Sequence, residues 1–532
     1  MISNRTLLSA ILSTFVLSSQ MSLSQSPQSP QSSPQSSQPA EVPTLHVTSD
    51  LVFLDVTVLD KKGKPVVSGL TQDDFTVTED KMPQRIFSFE APEIHTAKAA
   101  KGEDNPDGKA PVTIFVLDLL NSEFQEGAYF RFELHKYLEG LPSELAAPAE
   151  LIVLGNSSMD LVQGYTRSRK ELIFALDHAP TIVPYKRTNS DFIMDRAQQS
   201  VDTLQQIVLQ NEGIPGRKNV IWIGPGSPTL IAPESLKAAA KLKSYIHLTA
   251  NMLVQARISL FVIYPPLKLE RRSDLLNPSF ADTNFENHDP FGSAVNFVDF
   301  VRETGGDLFF NRNDIDGEIQ QSETFGSKYY TLTYQPREVH NDGSFRRIHV
   351  TLRNPDLRVV TKNGYYAPGN EEEADPRYRA GLSLTQAARS TIPINGLEVR
   401  IVGVVRHEDS GTADLTLRVN SKGLEWQKRD DGASTASFYI AVASLSSNRT
   451  ILASRFAKLT GVLHTQDPAR LATSDCEFTV PVRIPGKTRN VRMMVETEDS
   501  GRMGAVDLGR NVIDAAPVKP TAEPPLATRP AM

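Results

Sequence analysis

Apolar residues change rhythm several times along the chain, and each rhythm predicts a different kind of element. Leu51–Leu59 is dense in β-branched and apolar residues; after the turn Lys61–Pro65 come Phe75–Glu79, the turn Asp80–Pro83 and Gln84–Phe89. Short runs separated by Gly and Pro predict a small β-unit over 46–92, and the polar stretch 93–110 reads as a linker. From 111 the runs become unbroken: Val112–Leu117 ending in Asp118, Glu150–Leu154, Asn219–Ile223 and Ile258–Ile263. A run without alternation suits a strand covered on both faces. Between these runs, apolar residues at helical spacing predict helices near 123–140, 167–178, 190–211, 233–256, 293–303 and 314–325, with a further strand at Asp307–Phe310. Strands alternating with helices predict an α/β fold, a Rossmann-like doubly wound and mostly parallel sheet.

The rhythm shortens again at Lys328. Tyr329–Tyr334, Phe345–Leu352 and Leu357–Val360 read as antiparallel strands that extend the parallel sheet or pack beside it, so that the α/β domain runs over 111–368. The acidic stretch from Gly369 opens a linker, 369–383. Over 384–510 strands recur at 397–405, 412–419, 437–445, 478–484 and 490–496 with few helical signals, which predicts a β-sandwich. No repeat of fixed period is present.

The ends add an address. Residues 1–24 combine Arg5, the apolar run Leu7–Leu17 and small polar residues to Ser24, the pattern of a secretory signal peptide; an uncleaved membrane anchor is the alternative. The run is short of the roughly 20 residues a membrane-spanning helix needs, and no other stretch is apolar enough to span a bilayer. Residues 25–45 are dominated by Gln, Ser and Pro and read as a disordered tether, and 511–532 as a Pro-rich tail. Export to the periplasm, cell surface or extracellular space follows as the expected location.

Composition then removes whole classes of function. With 56 basic and 63 acidic residues the net charge is −7, which points away from nucleic acid. Cys476 is the single cysteine of 532 residues, so a disulfide framework and a multi-thiolate zinc site are excluded, and a buried, reduced side chain is expected. The chain has no G-x-S-x-G, no H-E-x-x-H, no phosphate-binding G-x-x-x-x-G-K-[ST], no G-x-G-x-x-G after a strand and no histidine pair at metal-ligand spacing.

What remains is Asp118-Leu119-Leu120-Asn121-Ser122, just beyond the first buried strand, where α/β folds place ligands. A carboxylate with a hydroxyl four residues on suits a hard cation; equally, Asp118 and Ser122 suit the cap of the next helix. Asp314, Asp316, Gly317 and Glu323 match part of a calcium-loop pattern, but Arg312 falls at its first position, and a helix cap by Asn313 or Asp314 fits better.

Several motifs occur in one order: Leu51–Asp60, Gly69–Phe75, Glu79-Asp80, Asp118–Asn121, Gly216–Trp222, Thr304–Asp307 with Asn313-Asp314, Tyr329-Tyr330 and Gly364–Pro368. On these the chain resembles the von Willebrand factor A-type (VWA) domains, and more closely the VWFA-related proteins abundant in acidobacteria. The resemblance implies a metal-ion-dependent adhesion site built on D-x-S-x-S, a Thr from a second loop and an Asp from a third. Asp118 matches the Asp and Ser122 the last Ser, with Asn121 beside them; Leu120 replaces the first Ser, and Gly224–Pro228 holds no Asp. Thr188 and Ser227 are the candidates for supporting donors. A site short of two oxygens is expected to be degenerate and to hold Mg²⁺ or another divalent cation weakly or not at all.

The reading is an exported, non-enzymatic VWA-domain protein that mediates protein–protein or adhesive contacts in the cell envelope, with a protein or glycan ligand at the top face. A secreted hydrolase with a cryptic α/β site and a passive structural module of the envelope are the alternatives. The 264–292 segment lacks periodicity and is long for a loop, and is expected near the sheet edge.

Overall fold

The structure is a computed structural model. It describes residues 51–519 except 96–110, 181–189, 265–289 and short breaks at 157–158, 213, 215, 228–229, 232–235, 292–293, 296, 311–313, 339–340, 371–374, 408–410 and 422–423. The expected signal peptide and tether, Thr188, and most of the 93–110 and 264–292 segments and of the tail lie outside the described residues.

The first strands are β1 (Val52–Leu59), β2 (Phe75–Glu79), β3 (Met82–Gln84) and β4 (Ile86–Glu90). The α/β block follows as β5 (Val112–Asp118), α1 (Phe124–Gly140), β6 (Glu144–Leu154), β7 (Met159–Ser168), α2 (Arg169–His178), α3 (Ser190–Asn211) and β8 (Lys218–Ile223). It continues through β9 (Leu230–Ile231), α4 (Leu236–Gln255), β10 (Ile258–Tyr264), β11 (Ala294–Val295), α5 (Phe297–Glu303), β12 (Leu308–Phe310) and α6 (Ile315–Ser327).

Its six-stranded sheet runs β7-β6-β5-β8-β10-β12, the order 3-2-1-4-5-6 of a doubly wound fold. All neighbours are parallel except β7, which runs antiparallel to β6 at the edge. Every residue of β5, β8 and β10 is buried, as their unbroken apolar runs predict. One face packs on Phe130, Leu134, Leu172, Leu176 and Ile319 from α1, α2 and α6. The other packs on Val201, Leu204, Ile246, Leu253 and Phe300 from α3, α4 and α5. The α/β class is as the sequence predicts. β7 escapes sequence reading because it is half-buried and its register on β6 is interrupted by irregularities, so its residues keep no period.

The strands after the block are β13 (Tyr330–Tyr334), β14 (Phe345–Leu352), β15 (Arg358–Val360) and β16 (Gly364–Tyr366). Of the two expected placements, extending the parallel sheet is not the one observed. These strands pair instead with the N-terminal strands, as β15-β1-β13-β4 and β16-β14-β2-β3. Leu54, Val56, Phe75, Val77, Tyr330, Leu332, Ile348 and Val350 form the core between these two sheets. The strands of 52–90 thus supply half of a small two-sheet sandwich, and the α/β block lies between its two halves in the chain. Arg217, 1% exposed at the start of β8, ties sandwich and block together. Its guanidinium donates to Ser259 Oγ (2.8 Å), Thr57 Oγ1 (3.0 Å), Gly305 O (3.3 Å) and Phe325 O (3.5 Å).

Helix α7 (Pro376–Arg389) begins inside the expected 369–383 linker, with Asp375 accepting from the Arg377 N–H at its N-terminus. Ala380, Leu384, Ala387 and Ala388 put it in one core with α3 and α4 on one side and Tyr439, Ala443 and Met494 on the other. The linker is thus in part a packed bridge. The remaining elements are β17 (Val399–His407), β18 (Thr412–Val419), β19 (Gln427–Lys428), β20 (Ser434–Leu445), β21 (Ile451–Leu463), α8 (Pro468–Leu471), β22 (Cys476–Arg483), β23 (Asn490–Thr497), β24 (Met503–Gly509), α9 (Arg510–Asp514) and β25 (Val518–Lys519). They form the sheets β22-β18-β17-β25 and β19-β20-β23-β24, with β21 also on β20, around Leu415, Leu417, Phe438, Ile440 and Met493. The last two elements begin what reads as tail in the sequence. Cys476 is buried, and burial with Asp475 beside it pushes its thiol up to about 11. Among the described residues no helix is long and apolar enough to cross a membrane.

Candidate functional site

Strand order reverses between β5 and β8, so their carboxyl ends open the crevice in which open α/β sheets bind ligands. Asp118, the last residue of β5, lies there with no exposed surface. Its two oxygens are ringed by N–H donors. Oδ1 accepts from the Asn121 backbone N–H (2.9 Å) and Nδ2 (3.1 Å). Oδ2 accepts from Asn121 Nδ2 (3.1 Å), Trp222 Nε1 (3.0 Å) and the Gly226 N–H (3.0 Å). Burial pushes the carboxyl up to about 6, while the Asn121 and Trp222 bonds and the charge of Arg196 pull the other way.

The loop after β8 reaches Asp118 because of two glycines. Gly224 has φ +139°, and a Cβ there would stand 2.6 Å from Asp118 Cβ; Gly226 has φ +82°, and its Cβ would stand 2.3 Å from the Phe297 ring. Behind the site, Asn121 Nδ2 also donates to Ser200 Oγ (3.0 Å), and Arg196 Nε donates to Asn121 Oδ1 (3.2 Å).

The residues singled out in the sequence fare differently. Asp118, Asn121 and Ser122 come together. Ser122 Oγ donates back to the Asp118 carbonyl rather than turning outward. Leu120, 3% exposed, is part of the core. Ser227 is buried one residue beyond Gly226. The alternative of a helix cap by Asp118 or Ser122 is corrected: Glu123 caps α1, in a capping box with Glu126 whose Oε2 accepts from the Glu123 N–H at 2.9 Å. Asp314 caps α6 by accepting from the Gly317 N–H (3.2 Å), and Glu323 accepts from the Tyr137 hydroxyl (2.6 Å), so the calcium-loop pattern is not assembled.

This donor set does not fit a divalent cation. A hard cation needs oxygen acceptors converging on it. Here the Asp118 oxygens are saturated by N–H groups, one of them the backbone N–H of Gly226. Among the described residues no group of three or more His, Cys, Asp or Glu side chains is placed to hold a metal. Cavities of about 170 Å³ (lined by Phe53, His95, Arg257 and Thr331 among others) and about 500 Å³ (lined by Gln72, Arg85, Phe87 and Arg353 among others) lie at the N-terminal sandwich, and Asp118 lines neither. Sequence reading missed Trp222, Gly226, Ser200 and Arg196. Trp222 looks like one more core residue of a buried strand, Gly226 contributes only its backbone, and the i, i+4 spacing of Arg196 and Ser200 on α3 was the sole signal for that pair.

No protein-family model matches the chain, and no curated protein matches it. Among solved structures, a variant of the PilB minor pilin from Streptococcus sanguinis is similar over 43% of this chain and 64% of its own, at 13% identity and TM-score 0.25. The pilus adhesin SpaC from Lactobacillus rhamnosus GG is similar over 74% of this chain and 55% of its own, at 10% identity and TM-score 0.25. The SpRpn10 VWA domain is similar over 40% of this chain and 96% of its own, at 12% identity and TM-score 0.21. The similar regions thus span less than two-thirds of the pilin and of the adhesin. On the strand order and directions described above, the fold is α/β, a doubly wound and mostly parallel sheet.

Proposed function

We propose that this is an exported, non-enzymatic protein whose VWA-like block mediates protein–protein or adhesive contacts in the cell envelope, with a degenerate metal-ion-dependent adhesion site. The observation that supports this most is the state of Asp118. At the position where such folds bind ligands, the Asp118 carboxylate is sealed from solvent and held by five hydrogen bonds. A group so held serves neither as a nucleophile nor as a general base, because it cannot reach a substrate. It does fix the loops around it, and a rigid rim of loops on an α/β scaffold suits recognition of a partner surface, a protein or a glycan.

The bridge through α7 and the inserted arrangement of the first sandwich hold the flanking β-modules against the block, which supports a presenting role for them. The test is crosslinking and affinity recovery from envelope extracts, with the intact mature protein as bait, in Mg²⁺ and in EDTA. Expected is a specific partner recovered equally in both conditions. A partner recovered only with Mg²⁺ contradicts the degenerate site. Turnover of ester, peptide or glycoside substrates that is lost in D118A contradicts the non-enzymatic reading.

A further inference from the structure

A carboxylate with no exposed surface needs compensating charge as well as hydrogen bonds, since neutral dipoles alone leave much of its desolvation cost standing. In a cation-binding version of this crevice the metal would supply that charge. The donor set around Asp118 leaves no such place. Among the described residues, a cationic side chain that acts on it is Arg196, from helix α3. Arg196 does not touch Asp118; it reaches it through Asn121.

The Asn121 amide is oriented by this arrangement. Its Oδ1 accepts from Arg196 Nε at 3.2 Å, and its Nδ2 donates to both Asp118 oxygens at 3.1 Å and to Ser200 Oγ at 3.0 Å. Turned over, the amide would place an oxygen against the carboxylate and an NH₂ against the guanidinium, both repulsive. Ser200 stands one turn along α3 from Arg196 and accepts from the other side of the same amide. The helix thus presents a cation and an acceptor at the spacing that fixes Asn121 in one orientation.

We infer that Arg196 is a built-in replacement for the divalent cation: a positioning residue that polarises the Asn121 amide and so holds Asp118 and the loop at Gly226 in one fixed, metal-independent conformation. A guanidinium suits the role because it stays charged when half-buried and bonds directionally. The inference deepens the proposed reading of this face and says what keeps it in shape without metal. It is tested on the isolated protein, so its failure is distinguishable from failure to find a partner.

The experiment is a double-mutant cycle in urea on the full mature chain, with wild type, R196M, R196K, D118N and both R196 changes combined with D118N. Expected for R196M is a loss of about tenfold in the folding equilibrium, the order of one charge-assisted hydrogen bond. In the D118N background the same change is expected to cost less than about threefold, because the charge it served is gone. R196K, which keeps the charge but not the fork, is expected to recover part of the loss and to keep coupling to Asp118. Two outcomes overturn the inference. One is R196M and R196K equally stable, which assigns the side chain to packing. The other is additivity of R196M and D118N, which removes the link to Asp118.

Discussion

The indole N–H of Trp222 donates to Oδ2 of Asp118 at 3.0 Å, across the two central strands β8 and β5. Both residues are fully buried. The bond pins the crevice at the point where the strand order reverses, between the last residue of β5 and the residue before the last of β8. W222F keeps most of the ring and removes the donor. A loss of about 1–3 kcal/mol in urea unfolding is expected, since one buried carboxylate oxygen loses a partner. A change under about 0.5 kcal/mol, the size typical of surface substitutions, would mean that the bond contributes little.

Gly226 offers a sharper test of loop geometry. In Gly226→Ala the left-handed backbone and the Phe297 ring both oppose the new methyl, and the N–H that serves Asp118 must shift. Expected is a loss of about 2–4 kcal/mol, from strain and overpacking together. Gly63 has φ +75° but nothing within 4 Å of its Cβ position, so Gly63→Ala carries the strain alone. Its expected cost is about 1–2 kcal/mol. Equal losses in the two variants, read by thermal unfolding, would show that the contact with Phe297 is unimportant.

The pH dependence of stability has a buried source in Glu150. This residue has no exposed surface, its Oε2 accepts from Gln210 Nε2 at 2.9 Å, and its Oε1 has no partner among the described residues. Burial pushes the carboxyl up to about 8, against the Gln210 bond. A folded value above the unfolded one means that folding favours the protonated acid. Its contribution is therefore complete below about pH 4.5 and is lost as pH rises through about 8. E150Q mimics the protonated form and removes that slope. At pH about 9 the variant is expected to be more stable than wild type by about 1–4 kcal/mol, and near pH 4 the two should agree. Parallel pH–stability curves for the two proteins would contradict the assignment.

Much of this fold is legible from periodicity, and the site is legible only in part. Val112–Leu117 and Ile258–Ile263 announce themselves because a strand buried on both faces needs apolar side chains throughout. What periodicity does not carry is partnership: nothing in Leu51–Leu59 tells that β1 pairs with Tyr330–Tyr334, some 270 residues on. Helix α7 hides behind an acidic, proline-bearing stretch because its buried face is largely alanine. At the crevice, Asp118 and Asn121 are visible in the sequence because they close an unbroken apolar run. The donors around Asp118 are backbone N–H groups, an indole N–H and an amide, and none of these has a sequence signature.

The inserted topology makes a prediction about folding. A peptide of residues 46–92 lacks the strands that complete both of its sheets. It is expected to remain unfolded, with a narrow amide proton spectrum, because isolated hairpins are marginal in water. In the intact chain, R217M removes the guanidinium donor to Thr57 Oγ1, Ser259 Oγ and Gly305 O, while Phe325 O keeps the Thr57 hydroxyl at 3.0 Å, for an expected loss of about 2–4 kcal/mol. A well-dispersed spectrum from the peptide would show that the first β-unit is independent after all.

The proposal that the crevice at Asp118 holds its shape without metal is open to one direct measurement: equilibrium binding of Mn²⁺ to the intact protein, followed by the loss of its free-ion electron paramagnetic resonance signal, in wild type and D118A. Expected is no saturable binding at millimolar Mn²⁺ in either protein, and no gain in thermal stability from the ion, as linkage requires of a ligand that does not bind. Saturable, EDTA-reversible binding to wild type that disappears in D118A would contradict it, and would mean that the N–H groups around Asp118 give way to a cation.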